Sequence, residues 1–322
     1  MVTRPTSSGE QPDAPRDERP HHEHPTHEHE AVALLLEHCA RSAHGRSTDP
    51  AVVASVVGVE RVSLLVGSHD TQTLRTAVTD GLSGPRDSEL GALLVQLRQS
   101  IGLALSRPGP HWKADATVLN PATGGHHVAT DLDVLRTATR AATLSYGAVP
   151  YYRDRYGRRG AHFSVSDSSW IAHLCDAPRE TAAHQVTWLS DMLTHRGMPT
   201  WLMELHLATM IDQLAEAGLA IGALPHALGV LERRRRAVVD DELLEQAEGW
   251  VRDAVDAPPT APTGRLVAAA VADVRSGVAL SSAPLMDWLT HEDRTDAADA
   301  SAVHDVHARV TAAAGTRTGE RP

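Results

Sequence analysis

The stretch that decides the fold is 184-HQVTWLSDMLTHRGMPTWLMELHL-207. Within it and just before it, apolar side chains recur at i, i+4, i+7 and i+11, which places them on one face of an α-helix. These side chains are Ala182, Val186, Leu189 and Leu193. Gly197 is placed for the left-handed residue that ends a helix, Met198 for an apolar contact back onto the last turn, and Pro199 for the start of the next helix. The stretch therefore predicts two amphipathic helices that meet at a tight corner.

The composition favours the same class of structure. The chain has 322 residues, of which 42% are hydrophobic and only 3% aromatic, so its core consists mainly of Leu, Val and Ala. Strands draw on aromatic and β-branched residues, whereas this composition suits helices. We predict a mostly α fold, a helical bundle with little or no β-sheet.

Pro, Gly and Asp residues mark the ends of the predicted helices. Predicted helical segments are 31–45, 50–68, 87–107, 131–157 with an interruption at 147–150, 167–175, 178–195, 199–217, 224–254, 265 onward, 285–291 and 297–314. Because residues 50–68 contain several β-branched side chains, a β-strand is an alternative to a helix for the second half of this segment. Ser164 and Ser166 are predicted to cap the helix at 167–175. A kink is expected at Pro225, and residues 108–127 are predicted to form a long loop.

Four parts are predicted along the chain. Residues 1–30 are rich in Pro, charge and His and are expected to be a disordered tail. A helical main body covers 31–256, the Pro-rich stretch 257–264 forms a linker, and 265–322 is a helical C-terminal appendage.

Charge and cysteine content narrow the class of protein. The net charge of −11 argues against a nucleic-acid binder, which needs a basic face. The basic run Arg233–Arg236 is offset by acidic residues that follow it, so we interpret it as a solvated helix face. The two cysteines, Cys39 and Cys175, lie far apart and suit a reducing compartment. Without an apolar run long enough to cross a membrane, a cytoplasmic protein is expected.

The partner of the protein is predicted to be a small ligand or another protein, and an oligomer is compatible with the sequence.

Eight of the 11 aromatic residues lie between Tyr146 and Trp201. One interpretation is that they nucleate the main hydrophobic core. The other is that they line a pocket or interface, because Trp and Tyr are favoured anchors for ligands and partners. The candidate ligand- or partner-binding residues are Tyr152, Tyr156, Trp170, Trp188 and Trp201.

The pattern 152-YRDRYGRRGAHFSVSDSSW-170, followed by the stretch quoted above, resembles the globin-like helical sensor modules of bacterial regulators. These include the non-haem sensor globins of stress-signalling proteins and the helical cap of cobalamin-binding regulators. The resemblance covers residues 150–217 within a module of about 130–220. It implies a regulatory module that binds a ligand or partner and is not an enzyme. The chain departs from those regulators because we find no cobalamin-binding domain and no kinase or anti-sigma effector domain in its sequence.

The 20 histidines offer a second hypothesis, a metal- or haem-binding protein that would include some enzymes. His24, His27 and His29 belong to a cluster in the tail that is able to bind transition metals. In the resembling module, His173 or His184 is the candidate haem or metal ligand. We interpret His304 and His307 as surface residues and the pair His126–His127 as part of a loop. No cofactor is the leading expectation, and haem or a transition metal is the alternative.

Familiar catalytic motifs are missing from the sequence. It has no G-x-S-x-G, no Walker A motif, no dinucleotide-binding glycine fingerprint and no H-E-x-x-H. No catalytic residue is therefore predicted. A third hypothesis is an accessory or scaffold subunit of a helical complex, which would need an obligate partner and no small ligand.

Overall fold

The computed structural model describes residues 44–106 and 113–319, and within these ranges it contains thirteen α-helices and no β-strand. In chain order the helices are α1 (Pro50–Val66), α2 (Thr71–Ser83), α3 (Glu89–Ser106), α4 (Ala116–Leu119), α5 (Leu132–Ala148), α6 (Pro150–His173), α7 (Arg179–Thr194), α8 (Thr200–Glu216), α9 (Leu224–Arg236), α10 (Asp241–Ala254), α11 (Thr263–Arg275), α12 (Ala283–Leu289) and α13 (Ala297–Gly319). A short 3₁₀ turn, Leu174–Asp176, follows α6. The predicted mostly α bundle is confirmed. The predicted tail, Cys39 and most of the helix at 31–45 lie outside the described residues.

Aspartate caps start several of these helices. Asp49 accepts hydrogen bonds from the backbone N–H groups of Ala51 and Val52, with Pro50 as the first helical residue. Asp131 caps α5 in the same way. Helix α1 runs to Val66 without becoming a strand, because its valines are buried against neighbouring helices and tertiary packing outweighs their β preference. Helix α2 and the single turn α4, inside the predicted loop, were not foreseen.

The predicted corner between α7 and α8 is present. Gly197 has a φ of +85°, and its N–H donates to the carbonyl of Thr194 at 2.9 Å. The N–H of Met198 donates to the carbonyl of Leu193 at 3.1 Å, which closes the left-handed helix end. Pro199 precedes the first residue of α8. The corner fixes α7 and α8 as consecutive helices beside α6.

The prediction that Ser164 and Ser166 cap a separate helix is wrong. Helix α6 runs from Pro150 to His173 and has non-helical backbone angles only at Gly157. The serines lie inside the helix, where the hydroxyl of Ser166 donates to the carbonyl of Phe163 at 2.9 Å and that of Ser168 to Ser164 at 2.5 Å. Such bonds to the preceding turn allow serine to occupy a helix interior.

The single helix predicted over 224–254 is also wrong, because α9 and α10 are separated by residues 237–240. Asp240 caps α10 by accepting from the N–H of Leu243 at 2.9 Å, and Pro225 lies in the first turn of α9 without kinking it. The basic run is not wholly solvated. The side chain of Arg235 is only 3% exposed and pairs with Glu204 of α8 and Asp241 of α10.

Two hydrophobic cores share α6, one at each of its ends. The N-terminal core joins α1, α5, α7, α8 and α9 to the second half of α6. The C-terminal core joins the first turn of α6 and the start of α8 to helices α10–α13. Across the predicted linker, Trp288 contacts Tyr151 with ring centroids 4.9 Å apart, and the N–H of Thr200 donates to Asp273 at 2.9 Å. The division into a body and an appendage stays a prediction.

No single helix in residues 44–106 and 113–319 combines the length and apolar character needed to cross a membrane. Helices α1 and α2 meet those two requirements only when taken together, and they are bent by 89° where they join.

Candidate functional site

A cleft of about 500 Å³ opens along one face of α6. Its other walls are the loop 122–126, helix α7 and the residues of the corner that follow it. We call it the aromatic cleft. Beyond the break in helical backbone at Gly157, the α6 side chains that line the cleft follow helical spacing, because Phe163, Asp167 and Trp170 recur four and three residues apart along one stripe. Tyr156 lines the cleft from the turn before the break. Helix α6 therefore presents an aromatic stripe interrupted by one carboxyl group.

Four of the five predicted binding residues meet in this cleft. Tyr152, Tyr156, Trp170 and Trp188 line it. Trp201 does not, because it lies in the first turn of α8 and packs against the C-terminal core. The structure thus brings together residues that are up to 36 positions apart in the chain, 152 to 188, and places the fifth elsewhere.

An aromatic trio forms one end of the cleft. The ring of His126 stacks on that of Trp170 with centroids 4.5 Å apart, and Trp188 approaches both rings edge-on at 6.1 Å. Trp170 is buried, whereas Trp188 remains 49% exposed. The interpretation of these aromatics as core holds for Trp170, but Trp188 leaves half its surface open to the cleft and solvent. An indole held in place yet open on one face is suited to contact a ligand.

A tyrosine cluster forms the other end and ties α6 to the corner. Tyr152 lies 4.8 Å from Tyr146 and 5.7 Å from Tyr156, measured between ring centroids. The hydroxyl of Tyr156 donates to the carbonyl of Arg196 at 3.0 Å, and that of the buried Tyr151 donates to the carbonyl of Gly197. Burial raises the pKa of each of these phenols, so they stay neutral at physiological pH.

Asp167 is the unusual group in the cleft wall. It lies on α6 between the aromatic trio and the tyrosine cluster, and burial raises the pKa of its carboxyl to about 7, although the charge of Arg196 opposes this rise. Among the described residues, no donor lies within hydrogen-bond distance of the Asp167 carboxyl group. Asp167 is partly exposed in the cleft, and partial desolvation without hydrogen-bond donors makes its carboxyl costly to ionise. The cleft therefore contains a carboxyl group that an external cation would stabilise in its charged form.

Behind Asp167 a buried histidine is held by two serines. His206 lines a small cavity that also touches Asp167, and burial lowers the pKa of its imidazole to about 4. Its Nε2 lies 3.1 Å from the hydroxyl of Ser168, and its Nδ1 lies 2.7 Å from that of Ser145. Because Ser168 donates its own proton to Ser164, it accepts from Nε2–H, and Nδ1 accepts from Ser145. This neutral network fixes α5, α6 and α8 behind the cleft.

The predicted metal ligands do not converge. The ring of His173 lies 5.8 Å from that of His127, where burial and that neighbour lower the pKa of His173, and His184 is exposed on α7. Within the described ranges, no group of three His, Cys, Asp or Glu side chains is arranged to hold a metal ion. His24, His27 and His29 lie outside the described residues.

Sequence reasoning missed Asp167, His126 and the cationic residues at the cleft mouth, Arg159 and Arg196. A signal for Asp167 was present, since it stands four residues after Phe163 and three before Trp170 on the aromatic stripe. His126 gave no such signal, because only the path of the loop brings it to Trp170.

Comparison with known proteins returned no significant match, whether with family models, curated proteins or solved structures.

Proposed function

We propose that the protein is a non-enzymatic regulatory protein whose aromatic cleft binds a small, largely apolar ligand bearing a positively charged nitrogen. The observation that carries this proposal is Asp167, a partly buried carboxyl without hydrogen-bond donors that lines the cleft in a wall of aromatic rings. A cation beside it would gain from the carboxylate and from the faces of Trp170, Trp188 and the tyrosines.

The cleft matches such a ligand in size, and its one carboxyl group supplies the opposite charge. Its volume is in the range of small-molecule sites, which are mostly apolar with a few polar groups. The cations at its mouth are exposed, and Arg159 lies over the ring of Phe163 at 5.7 Å. Arg196 attracts Asp167 without forming an ion pair within 4.0 Å among the described residues. A ligand cation reaching the carboxylate would take over the role that Arg196 fills at longer range.

A regulatory role is supported by the position of the cleft in the chain. Most of its walls belong to residues 150–217, the part that resembles helical sensor modules. The hydrogen bonds from Tyr151 and Tyr156 to the corner connect the cleft walls to α8. Ligand contact at these walls would reach both hydrophobic cores through α6.

The test compares two probes of the same shape, phenyltrimethylammonium and tert-butylbenzene, by saturation-transfer NMR and titration. We expect the cation to bind about tenfold tighter or more, since a desolvated cation–π contact is worth about 2 kcal/mol and the carboxylate adds to it. Its affinity should rise from pH 6 to pH 8, because the pKa of Asp167 near 7 places the required carboxylate in that range. Asp167→Asn should remove both the preference and the pH dependence.

Trp188→Ala tests the place of binding. Because Trp188 is half exposed, its loss should weaken probe binding about tenfold with little effect on unfolding. Leu280→Ala, at a residue that is 96% exposed and outside the cleft, is the matched control and should change neither. If both probes bound equally and without dependence on pH, the proposed contact between the ligand cation and the Asp167 carboxylate would be wrong. If Trp188→Ala lowered stability by about 3–5 kcal/mol and left binding intact, Trp188 would be plain core.

A further inference from the structure

A second cavity, of about 330 Å³, lies on the opposite side of α6 from the aromatic cleft. Helices α1, α3 and α5 form its other walls, and most of the wall is apolar, from side chains such as Leu64, Leu93 and Val165. One rim residue, Leu65, is 38% exposed. We call this space the arginine cavity because three arginines line it.

Arg61 is the arginine that extends furthest from solvent. Its Nη2 donates to the side-chain oxygen of Gln96 at 3.0 Å, and burial lowers the pKa of its guanidinium to about 10, so it remains charged at neutral pH. Among the described residues, Arg61 has no carboxylate within ion-pair distance. One neutral acceptor satisfies one of five donors, and a guanidinium presents the others as a planar fork.

The surroundings of Arg61 add positive charge and little negative charge. Arg158 at the rim donates to the backbone carbonyl of Asp87, and Arg153 pairs with its neighbour Asp154 at 3.0 Å. Glu89 is the one acidic residue in the lining, and in the described part of the chain it forms no ion pair. His162 is kept neutral, with its pKa lowered to about 4 by burial and by the charge of Arg61. The cavity is thus mostly apolar in its walls, with the Arg61 guanidinium inside it and two exposed arginines at its rim.

We infer that the arginine cavity binds a small amphipathic anion, a carboxylate on an apolar body, with the carboxylate held by the free donors of Arg61. Arginine forms paired, charge-assisted hydrogen bonds with a carboxylate, and these bonds strengthen where water is excluded. Arg158 would attract the anion to the rim, and Leu64, Leu93 and Val165 would cover its chain. This site takes a ligand of opposite charge to the one proposed for the aromatic cleft and does not depend on it.

The test measures binding of decanoate, decanol and decyltrimethylammonium to the full chain by titration calorimetry. Decanoate should bind about 10- to 100-fold tighter than decanol, the range for charged hydrogen bonds, and the cation should not compete with it. Arg61→Met should remove this preference. Arg158→Gln should weaken decanoate about two- to fivefold, as expected for an exposed charge. Arg252→Gln, an exposed arginine on α10 with the same change in net charge, should leave binding unchanged.

A folding control separates loss of the site from loss of the fold. Because Arg61 has no carboxylate partner, Arg61→Met should unfold at a urea concentration no lower than the wild type. If that variant fails to fold, decanoate binding by Arg158→Gln tests the inference in its place. The inference is overturned if decanol binds as tightly as decanoate, if Arg158→Gln leaves decanoate binding unchanged, or if only Trp188→Ala abolishes it, which would place the anion in the aromatic cleft.

Discussion

The Asp167 carboxylate that we propose to bind the ligand also lowers the free energy of unfolding. Its folded-state pKa of about 7 lies above the unfolded value of 3.8, so stability falls as pH rises between these values. We predict that Asp167→Asn is more stable than the wild type at pH 8, by about 2–4 kcal/mol, with the gain shrinking toward pH 4. Urea unfolding at the two pH values measures this. A variant less stable than the wild type at pH 8 would show that the carboxylate is well solvated or paired.

His206 gives the opposite pH dependence. Its folded-state pKa of about 4 lies below the unfolded value of 6.5, so the unfolded chain binds the proton first as pH falls. This residue should therefore remove about 3 kcal/mol of stability between pH 6.5 and pH 4. In His206→Leu that loss should be absent, because Ser168 keeps the carbonyl of Ser164 as its acceptor and Ser145 turns its hydroxyl to the carbonyl of Ala142, 3.2 Å away. If the free energy of unfolding fell equally with pH in the wild type and in His206→Leu, His206 would not be the source of the loss.

Between elements, Arg235 joins three helices. Its Nε donates to both carboxylate oxygens of Glu204, and Nη2 donates to Asp241 at 2.8 Å. Arg235→Met would leave Glu204 buried without its cation, and the free energy of unfolding should fall by about 3–5 kcal/mol. The exposed neighbour Arg233 is the control, and Arg233→Met should change stability by less than about 0.5 kcal/mol. Chemical denaturation measures the free energy of unfolding of both variants. Equal losses in the two would mean that the buried pair of Arg235 with Glu204 does not stabilise the fold.

The helices themselves were largely predictable, because their ends are set by local chemistry. Asp49–Pro50, Asp131 and the corner at Gly197 need only nearby residues to act, and each was visible in the sequence. The helical backbone through Ser164 and Ser166 was not predictable, since these serines favour caps as readily as a helix interior until their hydroxyls bond to the preceding turn. The same holds for the end of α9, where distant Glu204 holds Arg235 beside the break.

At the scale of the molecule, the aromatic cleft was predictable in part. Tyr152, Tyr156, Trp170 and Trp188 were grouped by nearness in sequence, and they line one cleft although the backbone break at Gly157 separates the tyrosines from Trp170. Trp201 was grouped with them by nearness in sequence, but the rotation of α8 after the corner turns it toward the C-terminal core. The arginine cavity could not be found from sequence, because it arises from the packing of four helices and none of its arginines forms a motif.

The packing of α11 against the starts of α6 and α8 in the C-terminal core determines whether the chain unfolds as one unit. Leu266 of α11 is fully buried in the same core as Tyr151 of α6, and Asp273 of α11 accepts from the first N–H of α8. We predict that Leu266→Ala lowers stability by about 2–5 kcal/mol and speeds amide hydrogen exchange in the first turns of α6 and α8 as well as in α11. Peptide-resolved exchange by mass spectrometry measures this, with Leu280→Ala as the exposed control. Faster exchange confined to residues 257–319 would instead support a separable C-terminal appendage, because α6 would then keep its fold without the helices that follow the linker.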